Sequence, residues 1–316
     1  MSTLSSESTL QRFNAPQVYV HGLLAASILL LWVTGLPITF HGPFAWLIGI
    51  VGYGNIVTLH VVAGAVLIMT GVFYVVYGFL GWSVGENSLK NVLPRPSDVS
   101  EAIEHLKYLA GRRGQPESGK YTFLQKAEIW IIVAETSVMI LTGLVLYAGT
   151  LTEVSPAPAF LITRDIHAIV AVTMLVGVTF HLFMTHAKEW PLDRSMFTGK
   201  VGLGRACEEW EGWVETSVGY VDVACEEQTH STVLTTSLIV GMILFGVVWT
   251  GVILEYVLSP VPTGGLNVAQ DVAPHALPGG LLGGIYSLGL NIAMVVIFAS
   301  IGALLYGFYE RWSVSD

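Results

Sequence analysis

Apolar runs of about twenty residues alternate with polar segments along the whole chain. A bilayer core of about 30 Å needs roughly 20 apolar residues in a helix that rises about 1.5 Å per residue. The pattern therefore predicts an all-α integral membrane protein with six spans, although the Gly-rich stretch around Pro278 to Gly284 belongs to either loop or helix. The six runs extend approximately from Val18 to Phe40, Ile56 to Leu80, Ile129 to Thr150, Ile166 to Thr185, Val233 to Leu258, and Ile285 to Tyr309.

The polar segments divide the chain into four parts. Residues 1–17 are predicted to be an N-terminal tail, and residues 18–187 a four-helix body that includes a polar loop over 81–126. Residues 188–231 are rich in acids, and residues 232–316 add two further helices. We interpret the acidic part as a solvated face with a surface helix, and a docking surface for a partner is the alternative.

Lys and Arg are distributed unequally between the two sides that these spans define. Thirteen of the 14 fall in the N-terminal segment, the loop after the second span, the segment after the fourth and the C-terminal segment, and only Arg164 lies opposite. Because Lys and Arg accumulate in short cytoplasmic loops, both termini are predicted to be cytoplasmic. An even number of spans satisfies this prediction.

Composition excludes several classes of protein. Hydrophobic residues make up 53% of the chain and charged residues 12%, which is too little polar surface for a water-soluble protein of this length. The formal charge of -9 argues against nucleic-acid binding. Cys207 and Cys225 are the two cysteines, and the sequence contains neither CxxC nor CxxCH, so it has no ligand set for an Fe–S cluster and no covalent haem attachment.

Four histidines lie inside the predicted spans and form two layers. The first span runs outward and the second and fourth run inward, so His60 and His167 lie near the outer face, and His21 and His181 near the cytoplasmic face. Ionisable groups within a bilayer are costly and usually functional. Neutral imidazole is an axial ligand of haem iron, so the layers predict two haems, each held by two histidines.

The fourth span carries one histidine of each layer. His167 and His181 are 14 residues apart, which at about 100° per residue falls about 40° short of four full turns, so both project from one helix face. The rise between them is about 21 Å. One helix can therefore hold two haem irons at two depths of the membrane, with His60 completing the outer pair and His21 the inner pair.

A Thr-Gly repeat recurs in the first, third and fifth spans. It comprises Thr34-Gly35, Thr142-Gly143 and Thr250-Gly251. Small residues allow a helix or a flat macrocycle to approach closely, so Gly35 and Gly143 are candidate cofactor-binding residues. Ordinary helix packing explains the repeat equally well.

A proton-relay transporter is the main alternative to a haem protein. Histidines can carry protons through a membrane, but such a protein would usually interleave carboxylates with them. Glu135 and Glu255 are the acids well inside a span. A single buried histidine with a hydrogen-bonding neighbour is also a common structural feature, whereas four in two layers are harder to explain in that way.

Residues 12 to 205 resemble the cytochrome b (gamma) subunit of membrane-bound formate dehydrogenases, a family shared with thiosulfate-reductase-type and [NiFe]-hydrogenase cytochromes. The motifs are His21 followed by VTGLPI, LHVVAG around His60, GKYTFLQKAEIW, RDIHAIVAV with His167, TFHLFMTH with His181, and SMFTGKV. The resemblance implies bis-His ligation of two haems b in a prokaryotic cytoplasmic membrane. It also implies a quinone, menaquinone or ubiquinone, beside the cytoplasmic-side haem, and an Fe–S partner subunit on the outer face.

The sequence departs from that family in three places. Gly22 follows His21 where the family often has Trp, acids follow SMFTGKV, and two helices are added to the usual four. The chain also has no residues to hold molybdenum, nickel or a nucleotide, so a molybdopterin or [NiFe] catalytic subunit would carry the substrate chemistry. A self-contained transmembrane haem reductase, which needs no Fe–S partner, is the alternative function.

The cytoplasmic end of the fourth span is the predicted quinone site. A quinone needs an apolar slot, hydrogen-bond partners and a titratable group with access to water. His186 lies five residues beyond His181 and is the candidate proton donor or acceptor, and Glu135 in the third span is a candidate assistant. An interfacial anchor for His186 and a structural hydrogen bond for Glu135 are the alternative roles.

Overall fold

The structure is a computed structural model that describes residues 8–83, 88–109, 112, 118–152, 157–187, 194–218 and 280–314. The elements, in chain order, are β1 (Thr9–Gln11), α1 (Ala15–Thr39), α2 (Ala45–Val51), α3 (Tyr53–Ser83), α4 (Ser88–Val92), α5 (Pro96–Leu109), α6 (Phe123–Thr152), α7 (Ala157–His181), a π-helical turn (Leu182–Ala187), α8 (Ser195–Thr198), β2 (Lys200–Gly202), α9 (Leu203–Glu209), α10 (Glu211–Val218) and α11 (Gly280–Val314).

Five of the described helices are long and apolar enough to cross a membrane, which confirms the predicted all-α membrane class. Their apolar stretches cover Ala15–Thr39, Tyr53–Gly81, Phe123–Gly149, Phe160–His181 and Gly283–Ser313. Many large apolar side chains on these helices are exposed, as for Met69 at 72% and Leu141 at 65%, as expected of surfaces that face lipid. The predicted span from Val233 to Leu258 lies outside the described residues.

Hydrogen-bonded capping boxes begin two of the spans. At α6, the Gln125 backbone N–H donates to Thr122 Oγ1 at 3.2 Å, and the Thr122 N–H donates to Gln125 Oε1 at 3.1 Å. At α1, Asn14 and Gln17 make the same reciprocal pair at 3.0 and 3.1 Å. Each box satisfies backbone donors that a helix start leaves without partners. Consequently α6 starts six residues before the predicted Ile129.

The predicted polar loop over residues 81–126 contains two short helices, α4 and α5. Pro96 occupies the first position of α5, where its missing N–H costs no hydrogen bond. Asp98 accepts from the Arg95 backbone N–H at 2.7 Å and from Lys126 Nζ at 2.6 Å, so it links the start of α5 to α6. Burial by itself raises the pKa of Asp98. The two hydrogen bonds favour the ionised carboxylate and together outweigh burial, so the pKa of Asp98 is lowered overall.

The chain forms two compact units. The first contains the described residues of Met1–Val18, Phe73–Val133 and Thr179–Gly246, and the second those of Tyr19–Val72, Ala134–Val178 and Val247–Asp316. In the first unit, β1 pairs antiparallel with β2, with Leu10 opposite Val201. The predicted N-terminal tail is therefore joined to the acidic segment by a two-stranded sheet that the sequence did not predict.

Trp210 belongs to a hydrophobic cluster in the first unit and is fully buried. Its indole Nε1 donates to Gln125 Oε1 at 3.2 Å, and the Arg12 guanidinium lies 3.4 Å from the indole ring centroid. Arg12 also donates to the Lys120 carbonyl at 3.1 Å. An Arg over a Trp face combines cation–π attraction with stacking, so β1, α6 and α9 are held around one side chain. The cluster around it comprises Val201, Leu203, Ala206, Cys207 and Val214.

Gly199 ends α8 in a left-handed conformation with φ of 78°. A Cβ at this position would overlap the Phe13 carbonyl oxygen and lie 2.6 Å from Gln11 Nε2. The Gly199 carbonyl in turn accepts the Arg12 and Phe13 backbone N–H groups at 2.8 and 2.9 Å. Glycine is required here because both the backbone angle and the close approach exclude a side chain.

In the second unit, α11 packs directly against α1. The Phe308 ring lies over Gly22 so closely that a Cβ at residue 22 would overlap it, and the same ring stacks on Tyr19 with 6.2 Å between centroids. The Arg311 guanidinium lies 5.1 Å from the Tyr19 ring centroid. The added C-terminal helix therefore fills the space that Gly22 leaves beside His21.

Candidate functional site

His60 in α3 is held by a hydroxyl group from α1. Its Nδ1 lies 2.9 Å from Thr34 Oγ1, and the same oxygen lies 2.8 Å from the Leu30 carbonyl oxygen. A hydroxyl has one hydrogen and a carbonyl can only accept, so we assign the hydroxyl as donor to Leu30 and as acceptor from Nδ1–H. This tautomer leaves the lone pair of His60 Nε2 available to a metal.

His167 in α7 has the same arrangement with α6. Its Nδ1 lies 2.7 Å from Thr142 Oγ1, which lies 2.7 Å from the Val138 carbonyl oxygen. The same reasoning assigns the proton to Nδ1 and the lone pair to Nε2. A partner on the second ring nitrogen is the usual means of orienting a metal-binding histidine, and here two threonines from two helices provide it.

The glycines of the Thr-Gly repeat face the histidine rings. A Cβ at residue 35 would lie 3.1 Å from His60 Cε1, and one at residue 143 would lie 3.4 Å from His167 Cε1. In both described copies, the threonine thus hydrogen-bonds a histidine while the following glycine gives its ring room. The third copy, Thr250-Gly251, lies outside the described residues.

The structure places the rings of His60 and His167 next to each other within the second unit, in an edge-to-face arrangement. Their ring centroids are 6.4 Å apart, with an angle of 69° between the planes. The neighbouring Trp32 indole donates to the Ala171 carbonyl at 3.4 Å and joins α1 to α7 beside them. These are the two residues that the sequence assigned to the outer layer.

His181 ends α7 in the first unit, beside a carboxylate. Its Nδ1 lies 3.3 Å from Glu128 Oε1 and 3.4 Å from Thr185 Oγ1. The Glu128 and His181 side chains are 18% and 21% exposed, so the pair is only partly screened by solvent. The Nδ1 atom of His181 therefore faces oxygen atoms, as do those of His60 and His167, but one of the oxygens beside His181 belongs to a carboxylate.

His186 lies in the π-helical turn that follows α7. It is buried, its ring centroid is 5.6 Å from that of His181, and Phe197 of α8 lies 6.2 Å away. Single π-helical turns are often found at functional sites. The structure thus brings the predicted proton-transfer residue beside the predicted inner ligand, with an aromatic ring next to it.

Glu135 lies on the face of α6 that packs against α7. Its Oε2 would be 3.9 Å from a Cβ at Gly177, and that oxygen is buried without a hydrogen-bond partner among the described residues. Glu128, Glu135 and Thr142 follow at intervals of seven residues, about 10 Å each. Because α6 starts at Phe123, Glu135 lies about 18 Å into the helix, deeper than the predicted span implied.

His21 is part of α1 and belongs to the second unit, whereas His181 belongs to the first. It is half-buried, and the contact of its neighbour Gly22 with Phe308 fixes this turn of α1 against α11. The pairing of His21 with His181 stays a prediction from their depths in the sequence.

Most of the chain matches a known protein family. Residues 12–199, more than half of the chain, match the family model of the prokaryotic cytochrome b561. The chain belongs to this cytochrome b family. It is also similar to the cytochrome b556 subunit of formate dehydrogenase from Haemophilus influenzae, with 21% identity over 183 residues, covering 57% of this chain and 72% of that protein.

The predicted resemblance to a formate-dehydrogenase type of cytochrome b is thereby confirmed. The protein is a multi-pass membrane cytochrome b of electron transfer, and haem b is the cofactor of its family. A transporter that contains no haem does not fit this membership. The matched region ends at residue 199, so the cytochrome b carries β2, α9, α10 and α11 beyond it.

The outer histidines of this cytochrome b fit a haem. Two imidazoles that share one iron, with metal–nitrogen bonds of about 2 Å, have ring centroids roughly 6 Å apart, and the observed separation is 6.4 Å. Both Nε2 atoms are assigned a lone pair, and Gly35 and Gly143 keep Cβ atoms away from the rings. His60 and His167 are therefore suited to hold a haem iron between them.

Glu128 and the two threonines were not singled out as histidine partners by the sequence. The predicted third span began at Ile129, so Glu128 fell outside it. Two signals point to Glu128 and Thr142: the capping box from Thr122 to Gln125, which extends the helix, and the seven-residue spacing of Glu128, Glu135 and Thr142, which places them on one face.

Proposed function

We propose that this cytochrome b carries two haems and transfers electrons between an Fe–S partner subunit and membrane quinone. The observation that carries the proposal is the facing pair of His60 and His167, each oriented by a threonine hydroxyl on Nδ1. A bound haem would supply one-electron chemistry at its iron. The protein's contribution is to fix the tautomer, orientation and spacing of the ligands.

The second haem is assigned to His21 and His181. The assignment is supported by the depths of the two residues in α1 and α7, and by the oxygen atoms of Glu128 and Thr185 beside His181 Nδ1. His167 and His181 are both in α7, about 21 Å apart along the helix axis. Two haems at these levels would form a path for electrons across the membrane.

A quinone site beside His181 completes the path. His186 is buried next to His181 and is the proposed donor or acceptor of the protons that accompany two-electron quinone chemistry. Phe197 offers an aromatic surface near it. Glu135, whose Oε2 is buried and which lies on the same face of α6 as Glu128, is the proposed assistant.

The partners are proposed from the relative's name together with the sequence. That relative is a subunit of formate dehydrogenase, so we infer a complex with an Fe–S subunit and a catalytic subunit of molybdopterin or [NiFe] type. The proposed location is the cytoplasmic membrane of a prokaryote, with lipid around the helices and both termini on the cytoplasmic side. A self-contained transmembrane haem reductase would use the same four histidines without an Fe–S partner.

Purification of the chain from its native membrane tests the function. We expect a pyridine haemochrome assay to give two haems b per chain, an EPR spectrum of two low-spin ferric species, and an Fe–S protein in stoichiometric amount. Two haems without any Fe–S protein would favour the self-contained reductase. Absence of haem would contradict the proposal.

Labelling of engineered cysteines tests the proposed orientation. Lys107 in α5 and Gly42 between α1 and α2 are both exposed. In a background with Cys207→Ser and Cys225→Ser, Lys107→Cys should react with an impermeant maleimide only from the cytoplasmic side, and Gly42→Cys only from the outer side. Reaction of both from one side would contradict the proposed orientation, in which α3 crosses the membrane between them.

Replacement of His186 tests the quinone site. His186→Ala should keep both haems and their reduction by the partner, but slow quinone turnover by about an order of magnitude or more, because a positioned proton donor contributes roughly 10²–10⁴-fold. His105→Ala in α5 is the matched control and should leave turnover unchanged. Unchanged turnover in His186→Ala, with unchanged binding of a quinone-site inhibitor, would show that quinone binds elsewhere.

A further inference from the structure

The histidines of the two proposed haem sites have chemically different partners. His60 and His167 each have a neutral threonine hydroxyl on Nδ1, at 2.9 and 2.7 Å. His181 has the carboxylate of Glu128 at 3.3 Å, on side chains that are about one-fifth exposed. The outer pair and the inner ligand therefore differ by one formal negative charge beside the imidazole.

A carboxylate changes the imidazole more than a hydroxyl does. Glu128 Oε1 lies at ion-pair distance from His181 Nδ1 but makes no hydrogen bond among the described residues, so it acts on the imidazole through its charge. A nearby negative charge stabilises ferric iron relative to ferrous iron. In a partly buried pair this effect is only weakly screened by solvent.

We propose that Glu128 is a positioning residue for His181, and that it lowers the midpoint potential of the haem that His181 holds. This inference depends on the proposed di-haem function. Thr34 and Thr142 orient the outer ligands without adding charge, so the outer haem lacks this shift. The consequence is that an electron on the inner haem is passed on more readily to an acceptor such as a quinone at that end.

Thr185 supports the same geometry from the other side of the ring. Its Oγ1 lies 3.4 Å from His181 Nδ1, so one nitrogen faces a carboxylate from α6 and a hydroxyl from the π-helical turn. The hydroxyl can help to orient the ring, but it carries no charge. Removal of the Glu128 charge alone should therefore change the potential while the ring keeps an oxygen neighbour.

Potentiometric titration of the purified holoprotein tests the inference. Glu128→Gln keeps the size and an oxygen acceptor but removes the charge. At a fixed potential it should raise the ratio of ferrous to ferric inner haem about tenfold, equivalent to 59 mV for a one-electron couple. The outer haem should titrate as in the wild type. Glu128→Asp keeps the charge and should give a smaller shift.

Glu211→Gln is the matched control, because it removes one negative charge at an exposed position of α10. It should shift neither potential measurably. Should Glu128→Gln lose the inner haem while Glu128→Asp keeps it, with the outer haem intact in both, the positioning role is supported by haem content alone.

Other outcomes would overturn the inference. Both haems present with unchanged potentials in Glu128→Gln, or an equal shift of both, would show that the carboxylate does not act on His181. Loss of the inner haem from both variants would assign Glu128 to packing rather than to a charge effect. A wild-type protein without haem would instead contradict the proposed function, so the two failures are distinguishable.

Discussion

His167→Ala is expected to remove one of two haems from the purified protein and to leave the other in place. The His167 ring lies next to that of His60, with 6.4 Å between ring centroids, and its Nδ1 is hydrogen-bonded to Thr142 Oγ1. Without His167, only His60 of this pair would remain to hold a haem iron, which would weaken haem binding and change the spectrum of that site. Haem content per chain and the EPR spectrum measure both effects.

The control for this variant is His105→Ala, which removes a histidine of α5 outside the spans. It should retain both haems. Thr142→Val adds a finer test, because it removes the hydroxyl and keeps the side-chain shape. We expect weakened haem retention at the same site, since partners of metal ligands commonly contribute 10–100-fold in affinity. Two intact haems in His167→Ala would disprove the ligand assignment.

Trp210→Ala is expected to have the largest effect on stability. The side chain is fully buried, stacks under Arg12 at 3.4 Å and donates to Gln125 at 3.2 Å. Truncation of a buried tryptophan costs about 3–5 kcal/mol, and here it also leaves the Arg12 guanidinium without its aromatic surface. The first unit should therefore open far more often.

Limited trypsin digestion of the detergent-solubilised protein measures this opening, because Arg194, Lys200 and Arg205 lie in the affected segment. If cleavage follows the open population, it should accelerate roughly a hundredfold or more. Trp213→Ala is the matched control, since Trp213 is only partly buried against the same cluster. Equal cleavage rates for both variants would show that Trp210 has no special role.

The C-terminal helix is integrated into this cytochrome b rather than appended to it. The family match ends at residue 199, yet Phe308 of α11 fits over Gly22 of α1, next to the proposed ligand His21. Asn291 of the same helix donates to the Pro43 carbonyl at 3.3 Å and accepts from the Trp46 indole at 3.2 Å. Gly22, which replaces the Trp that the family often has, is thus covered by Phe308 of α11 in the structure.

Hydrophobic patterning alone was sufficient for the membrane class and for the described spans. Bilayer thickness sets a length that apolar runs must meet, so α1, α3, α6, α7 and α11 were predicted within several residues. The spacing of His167 and His181 placed both on one helix face, because every α-helix has about 3.6 residues per turn. His60 was matched to His167 by depth, and the structure brings their rings together.

Tertiary structure decided what surrounds each histidine. The sequence did not distinguish whether the Thr-Gly repeat lines a cofactor groove or serves ordinary helix packing. In the structure, the helices are oriented so that Thr34 contacts His60 and Thr142 contacts His167. Glu128 lies beside His181 because the capping box starts α6 before the hydrophobic run, so that Glu128 is part of the helix.

The pairing of β1 with β2 likewise joined residues about 190 positions apart, which no local pattern encodes. Local periodicity determines which residues share a helix face. Which faces meet depends on packing between segments distant in sequence, and the partners of the histidines depend on that packing.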